Sequence, residues 1–394
     1  MRLLNLTQKV SLYIFFFSIN FEMLMVGGSS VAKLSGMIYI ITILPEIRHF
    51  FRADNLSHFL IPIFLFFGLL IFNNLININD LYFEVFNQSV FLNILIFWFL
   101  INHVRKDDLI LEKAIISFAL GSVLVTLFYN LGIGVGYMDD RLTIFEENSN
   151  AIGLKDSASM VIIILAVLQN RLKLGWYRYF LLIPVPFMLK LLAETGSRVA
   201  VITFTLSFIT GVILFKTKNM WSKIVVFIGG ALFLIFVGMQ LMTSPVMIER
   251  LTKTSETGDL GGRENIWKTI IPLIKENPVW GVGNTGYDYF ARAHLNLPYS
   301  PHNVILEVLC YTGIVGLIIY LTFLYQIFIS GYRSYFKNGW LLQLLLIFSI
   351  LGMVMSGQIL YTKMGWMIFA YIVGSSAIRN DERENENRLS ELGN

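Results

Sequence analysis

Long apolar stretches alternate with short polar connections along the chain, and this alternation restricts the fold more than any other feature. The apolar runs fall at 10–28, 31–46, 59–73, 86–102, 112–131, 151–168, 179–193, 199–215, 223–242, 303–329, 340–357 and 362–378. A spanning helix needs about 20 apolar residues, so about 12 spans would use roughly 240 residues. That leaves enough of the 394 residues for loops. Only 14% of the residues are charged and 56% are hydrophobic, which points away from a water-soluble enzyme. The same figures exclude disordered, collagenous and disulfide-scaffold classes and any nucleic-acid partner. The expected fold is therefore all-α and polytopic, with about 12 transmembrane helices. Residues 1–378 are expected to form a single transmembrane domain, and the polar tail 379–394 is expected to be disordered. The first apolar run follows Arg2 and Lys9 without a small-residue cleavage site, so it is taken as an uncleaved first span. Cys310 is the only cysteine, so neither an intrachain disulfide nor a cysteine metal cluster is possible.

The net charge of +4 hides where the cations sit. Alternate connections (the N-terminus, 47–58, 103–113, 169–178, 216–223, 330–339 and the tail) hold 18 of the 30 Lys and Arg residues. The other set holds 12, six of them in the single long loop 243–302, where the positive-inside rule has little force. Both termini are thus expected in the cytoplasm, with the loops near 131–150, 193–198 and 243–302 on the outer side. No internal repeat is visible, which weighs against a 12-span transporter or lipid-glycan flippase built from duplicated halves.

Unusual residues concentrate in the outer elements. In the long loop, Ile266, Trp267, Ile270, Ile271, Leu273 and Ile274 alternate with Lys268 and Lys275 between Arg263 and Glu276. This predicts an amphipathic helix on the outer membrane surface, with Trp267 as interfacial anchor and a kink at Pro272. A turn follows at Asn277-Pro278-Val279-Trp280-Gly281-Val282-Gly283, and then Pro301-His302-Asn303 leads into the next span. The short connection Glu194-Thr195-Gly196-Ser197-Arg198 places Arg198 at the membrane edge, where a cation is costly without a partner. A third element runs from Asp139-Asp140-Arg141 to Asn148-Ser149-Asn150. Gly281-Val-Gly283-Asn-Thr-Gly286 matches the spacing of a dinucleotide fingerprint, but it has no βαβ context and is read as turn glycines.

The order of these motifs, continued by Leu306-Glu307 and Gly313-Ile-Val-Gly316, resembles the O-antigen ligase superfamily. That superfamily includes ligases that attach O-antigen to lipid A–core and related polysaccharide polymerases. The resemblance covers about 140 to 320 and implies a GT-C-like membrane glycosyltransferase of the bacterial inner membrane. It implies metal-free transfer, at the periplasmic face, of a glycan from undecaprenyl diphosphate to lipid A–core or to a lipid-linked glycan. The single long loop favours a ligase over a polymerase. The family pattern places functional arginines at Arg198 and Arg263. A guanidinium is always charged and can grip a phosphate through two bonds, which suits a diphosphate leaving group. His302 titrates near neutrality and suits either a base for the acceptor hydroxyl or a phosphate ligand. Arg141, Asn150, Trp267, Asn303 and Glu307 are expected substrate contacts, although capping or loop hydrogen bonds account equally for Arg141 and Asn150. Glu307 suits either orienting a neighbour or contacting sugar.

Overall fold

The computed structural model describes residues 2–76, 82–138, 141–217, 219–258, 262–295, 300–357 and 359–375. Asp139, Asp140 and the tail 379–394 lie outside the described residues. The helices are α1 (Arg2–Ser18), α2 (Val31–Ile43), α3 (Ile47–Phe50), α4 (Ser57–Ile76), α5 (Tyr82–His103), α6 (Ile110–Asn130), α7 (Ser149–Gln169) and α8 (Val185–Glu194). They continue as α9 (Arg198–Leu214), α10 (Met220–Leu241), α11 (Pro245–Thr257), α12 (Arg263–Glu276), α13 (Gly283–Leu295), α14 (Val304–Asn338), α15 (Leu341–Ser356) and α16 (Lys363–Val373).

Each of the twelve apolar runs contains a helix among its described residues. By length and apolar composition alone, six segments are able to cross a membrane: α4, α6, α7, Gly175–Glu194, α10 and α14. All residues of α16 from Met364 to Val373 are buried. It is an internal helix, packed by α5, α14 and α15. α10 is the opposite case. Only Gly230 and Val237 are buried along it, so most of its apolar surface faces outward.

Two ends can be told apart by their hydrogen bonds. At one end Lys9 pairs with Asp107 at 2.6 Å, Lys106 with Glu46, and Arg171 with Glu112 at 2.5 Å. Gln169 also donates to the Gly339 carbonyl there, and Tyr335 to that of Leu214. The N-termini of α7, α9 and α14 lie at the other end.

The helical expectation needs one addition. Two antiparallel hairpins are present, β1 (Met25–Val26) with β2 (Ser29–Ser30), and β3 (Val135–Met138) with β4 (Arg141–Ile144). In the second, Val135 pairs with Ile144 and Met138 with Arg141. Leu142, Thr143 and Ile144 are all buried, so packing on both faces of this strand overrides the loop reading. The hairpin ends where α7 starts.

The long loop is largely helical, as α11, α12 and α13. α12 occupies the residues predicted for the amphipathic helix and runs through Pro272. Its apolar face is turned differently from the expectation. Ile270 and Leu273 are buried, and Ile266, Trp267 and Ile274 pack on the main core. Protein covers most of that face, and Ile271 is left exposed.

Between α12 and α13 the chain docks into a break in α14. Gly313 there has φ 59° and ψ −163°, a backbone region almost reserved for glycine. The break frees main-chain groups that cannot be left unpaired in an apolar interior. The docked turn takes them up: Ile314 N donates to Pro278 O at 2.9 Å, and Val282 N donates to Cys310 O at 2.8 Å. Gly281 has φ 71° and Gly283 φ 73°, so these are turn glycines. Asn73 and Asn74 close the arrangement from α4. Asn73 donates to the Trp280 and Tyr311 carbonyls, and Asn74 accepts from Asn284 N at 2.8 Å.

Candidate functional site

Four helices begin around one cleft of about 370 Å³. Asn148 caps α7, accepting from Asn150 N at 2.8 Å. Ser197 caps α9, whose first residue is Arg198. Gly262 precedes α12, whose first residue is Arg263. Asn303 caps α14, accepting from Ile305 N at 2.9 Å and Leu306 N at 3.4 Å. Each helix N-terminus carries about half a positive charge from its aligned peptide dipoles, so their convergence favours an anion. A cation at the first position of a helix opposes that dipole, and here two helices start with arginine. The fold thus places positive charge upon positive charge.

Arg250 joins them from α11. Gly196, at φ 59°, makes the approach possible: a Cβ there would stand 3.0 Å from Arg250 Cδ and 2.9 Å from Val246 Cγ1. The Arg250 guanidinium donates to Gly196 O at 3.3 Å. Burial, followed by repulsion from Arg198 and Arg250, pulls the Arg263 guanidinium below its ordinary value. It stays protonated, because guanidinium pKa values lie far above neutrality. Among the described residues that line the cleft there is no carboxylate. Such a cluster is relieved by a bound polyanion.

The other walls are polar and well fixed. Arg141, at the start of β4, donates to Asn150 Oδ1 at 2.9 Å. Trp267 donates to Pro301 O at 2.8 Å and so clamps the turn that carries His302. Arg263 donates to Met355 O at 3.2 Å.

His302 sits at φ 52°, a left-handed conformation that non-glycine residues seldom adopt. Its ring hydrogen-bonds the Ser356 main chain. Burial first, then Arg263 and, more weakly, Arg141, hold the imidazole below its ordinary value, against the opposing pull of Ser356. It is therefore neutral at pH 7, with one ring nitrogen free to accept a proton.

Seven of the eight residues singled out from sequence line this one cleft: Arg141, Asn150, Arg198, Arg263, Trp267, His302 and Asn303. Glu307 does not. It is 1% exposed, inside the first turns of α14. Ser300 donates to its carboxylate and accepts from His302 N at 3.2 Å. Of the two roles read for it, sugar contact and orientation of a neighbour, only the second agrees with this position. Arg250 was missed because nothing in its spacing separates it from the other loop cations. Only the fold of α11 over Gly196 distinguishes it. Among the described residues no group of three or more His, Cys, Asp and Glu is placed to hold a metal ion.

Residues 183–321 match the family model described as O-antigen ligase. The matched segment contains Arg198, Arg250, Arg263, Trp267, His302, Asn303 and Glu307, and it ends beyond the break in α14. Arg141 and Asn150 lie before it. No curated protein matches the chain. The resemblance read from the motifs holds over the matched segment, which carries an O-antigen ligase superfamily domain.

Proposed function

We propose that this protein, with its O-antigen ligase domain, is a membrane glycosyltransferase. It moves a glycan from undecaprenyl diphosphate to an acceptor at the periplasmic face, and its natural acceptor is lipid A–core. The observation that carries this reading is the cleft itself. Arg198, Arg250 and Arg263 converge with four helix N-termini, next to a neutral His302.

The chemistry follows from these groups. The acceptor hydroxyl oxygen attacks the anomeric carbon, and the bond from that carbon to the diphosphate oxygen breaks. The electron pair leaves with the diphosphate, whose negative charge grows at the terminal phosphate. Arginines held before the reaction stabilise that charge without reorganising. His302 takes the hydroxyl proton through its free nitrogen. The bound diphosphate then raises the imidazole pKa, which favours proton uptake as transfer proceeds. Positive charge from arginine takes the place a divalent ion would fill, so a chelator leaves the rate unchanged.

The experiment is reconstitution of the purified protein with a lipid-linked glycan and lipid A–core, read by gel. Product on lipid A–core supports ligation. Lengthening of the lipid-linked glycan supports a polymerase that uses the same donor cleft. Translocation without a covalent product would sink both readings in favour of a flippase. In cells, loss of the gene leaves lipid-linked polymer unattached if the enzyme is a ligase, and a single repeat unit on the core if it is a polymerase.

A further inference from the structure

Two charged residues near the cleft are almost wholly buried. Glu147 directly precedes Asn148, the cap of α7, and is 8% exposed. Lys155, about two turns into the same helix, is 5% exposed. Side chains on a helix lean toward its start, and the Lys155 ammonium donates to the Glu147 carboxylate and to Ile19 O, the latter at 2.8 Å. Glu22 adds a second carboxylate at 3.9 Å. Its other oxygen accepts from Lys363, at the start of α16, at 2.5 Å. A chain of alternating charge thus runs from Lys363 through Glu22 and Lys155 to Glu147.

A buried ion pair is a poor source of stability, but removing one partner strands the other charge, so the pair holds its segments together. Here the segment held is the turn from β4 into α7. Phe145 has φ 52° and Glu146 φ 66°, two consecutive left-handed residues at positions that favour Asn and Gly. Glu147 N closes this turn on Ile144 O at 3.0 Å. Backbone of this kind persists only where its surroundings hold it. On one side the Phe145 ring covers Gly134, where a Cβ would stand 2.3 Å from it. That ring also packs on Phe21 and Phe128, with centroids 6.2 and 5.7 Å away. On the other side the hold is Lys155.

The turn carries a fourth cation of the cleft. Arg141 lies three residues before Ile144 and donates to Asn150 Oδ1, while Asn150 N is held by the Asn148 cap. Arg141, Asn148 and Asn150 all line the cleft, and Lys155 does not. We infer that Lys155 is a positioning residue for diphosphate binding: by holding Glu147 it sets the 145–146 turn, and with it the place of the Arg141 guanidinium. The inference rests on the donor reading above. Lys363 supplies the comparison, because it ends the same chain of charges through Glu22 and belongs to α16, away from the turn.

The test is isothermal titration of the purified full-length protein with inorganic diphosphate, with Tm measured in parallel. Arg141→Ala is expected to raise Kd about tenfold, the loss of one charge-assisted contact. Lys155→Met should raise it by a similar factor, and the double variant should be no worse than Arg141→Ala, since the two act through one contact. Lys155→Arg keeps the charge and should bind within about twofold of the wild type. Lys363→Met should lower Tm and leave Kd unchanged. If Lys155→Met does not fold, Lys155→Met with Glu147→Leu replaces it, because removing both charges leaves neither stranded. Wild-type Kd in Lys155→Met or in Arg141→Ala would overturn the inference. So would losses that multiply in the double variant, or an equal rise in Lys363→Met, which would mark general loosening. In each of these cases the wild type still binds diphosphate and the donor reading stands. If the wild type binds none, the donor reading falls and takes the role of Lys155 with it.

Discussion

The main chain of His302 occupies the space that a side chain on Gly357 would need. A Cβ there would stand 2.7 Å from His302 Cα and 2.9 Å from Asn303 N. Gly357 ends α15 at φ 73°, so any replacement is both strained and in collision. Gly357→Ala is expected to push His302 off the cleft and lower kcat at least about tenfold, on top of a conformational cost of about 1–2 kcal/mol. Gly339→Ala is the control. That glycine has φ 69° at the end of α14, with nothing within 4 Å of its Cβ position. It should lose similar stability by thermal unfolding and keep its transfer rate.

Glu307 holds His302 through Ser300, so the side chain at 307 must accept a hydrogen bond but need not be charged. Glu307→Gln keeps an acceptor for the Ser300 hydroxyl and should retain most activity. Glu307→Leu takes away the acceptor for that hydroxyl's proton, at a cost of about 1–3 kcal/mol, and should lower kcat with little change in donor KM. Ser300→Ala should act in the same direction. The double variant should be no worse than the worse single one, since both break one chain of contacts. Additive losses would show that the two residues act separately.

The pH dependence has a definite sign. Burial and the neighbouring arginines favour neutral imidazole at His302, so its folded-state value lies below the ordinary one of about 6.5. The acid limb of kcat/KM, which reports free enzyme, should therefore fall below that value. The limb of kcat should lie higher, because the bound diphosphate stabilises imidazolium. Removing Arg263 takes away a repelling charge and should raise the pKa of His302. Titration of labelled histidine by NMR can follow this in Arg263→Ala even though turnover is lost. A downward shift would contradict the electrostatic account.

How much of this could be read beforehand depends on the range of the interaction. Each of the twelve apolar runs located a helix, because hydropathy is a local property. Alternation between Arg263 and Glu276 located α12, yet the partner of its apolar face is a long-range contact, and lipid was the wrong choice for Trp267. The hairpin that carries Arg141 was hidden because its alternating residues are few and flank two aspartates that resemble an ordinary loop. The break in α14 was invisible for a similar reason: Gly313 looks like any small residue of a membrane helix until Gly281 docks against it.

That docking gives a stability prediction. A Cβ on Gly313 would lie 2.2 Å from Val279 O, and its backbone conformation excludes other residues. Gly313→Ala should undock the Pro278–Val282 turn and cost on the order of 3 kcal/mol from strain and overpacking combined. Thermal unfolding in detergent and faster proteolysis of the 277–283 segment would register the change. Gly229→Ala is the comparison, since open space surrounds its Cβ position. It should be neutral or stabilising by up to about 1 kcal/mol.

Arg250 tests whether the cleft works as a cluster or through two arginines alone. It reaches the site only because Gly196 lets α11 lie against the 195–198 turn, and it adds to the repulsion felt by Arg263. If it grips the diphosphate with Arg198 and Arg263, Arg250→Ala should raise donor KM by about 10- to 100-fold, the equivalent of roughly 1.5–3 kcal/mol for a charged hydrogen bond. Arg250→Lys should recover part of this, since it keeps the charge and loses the two-point grip. The wild-type KM should also rise with ionic strength more steeply than that of Arg250→Ala, because one fewer cation is then screened. Unchanged kinetics in Arg250→Ala would reduce its role to holding the Gly196 turn, and Gly196→Ala would then be the more damaging of the two substitutions.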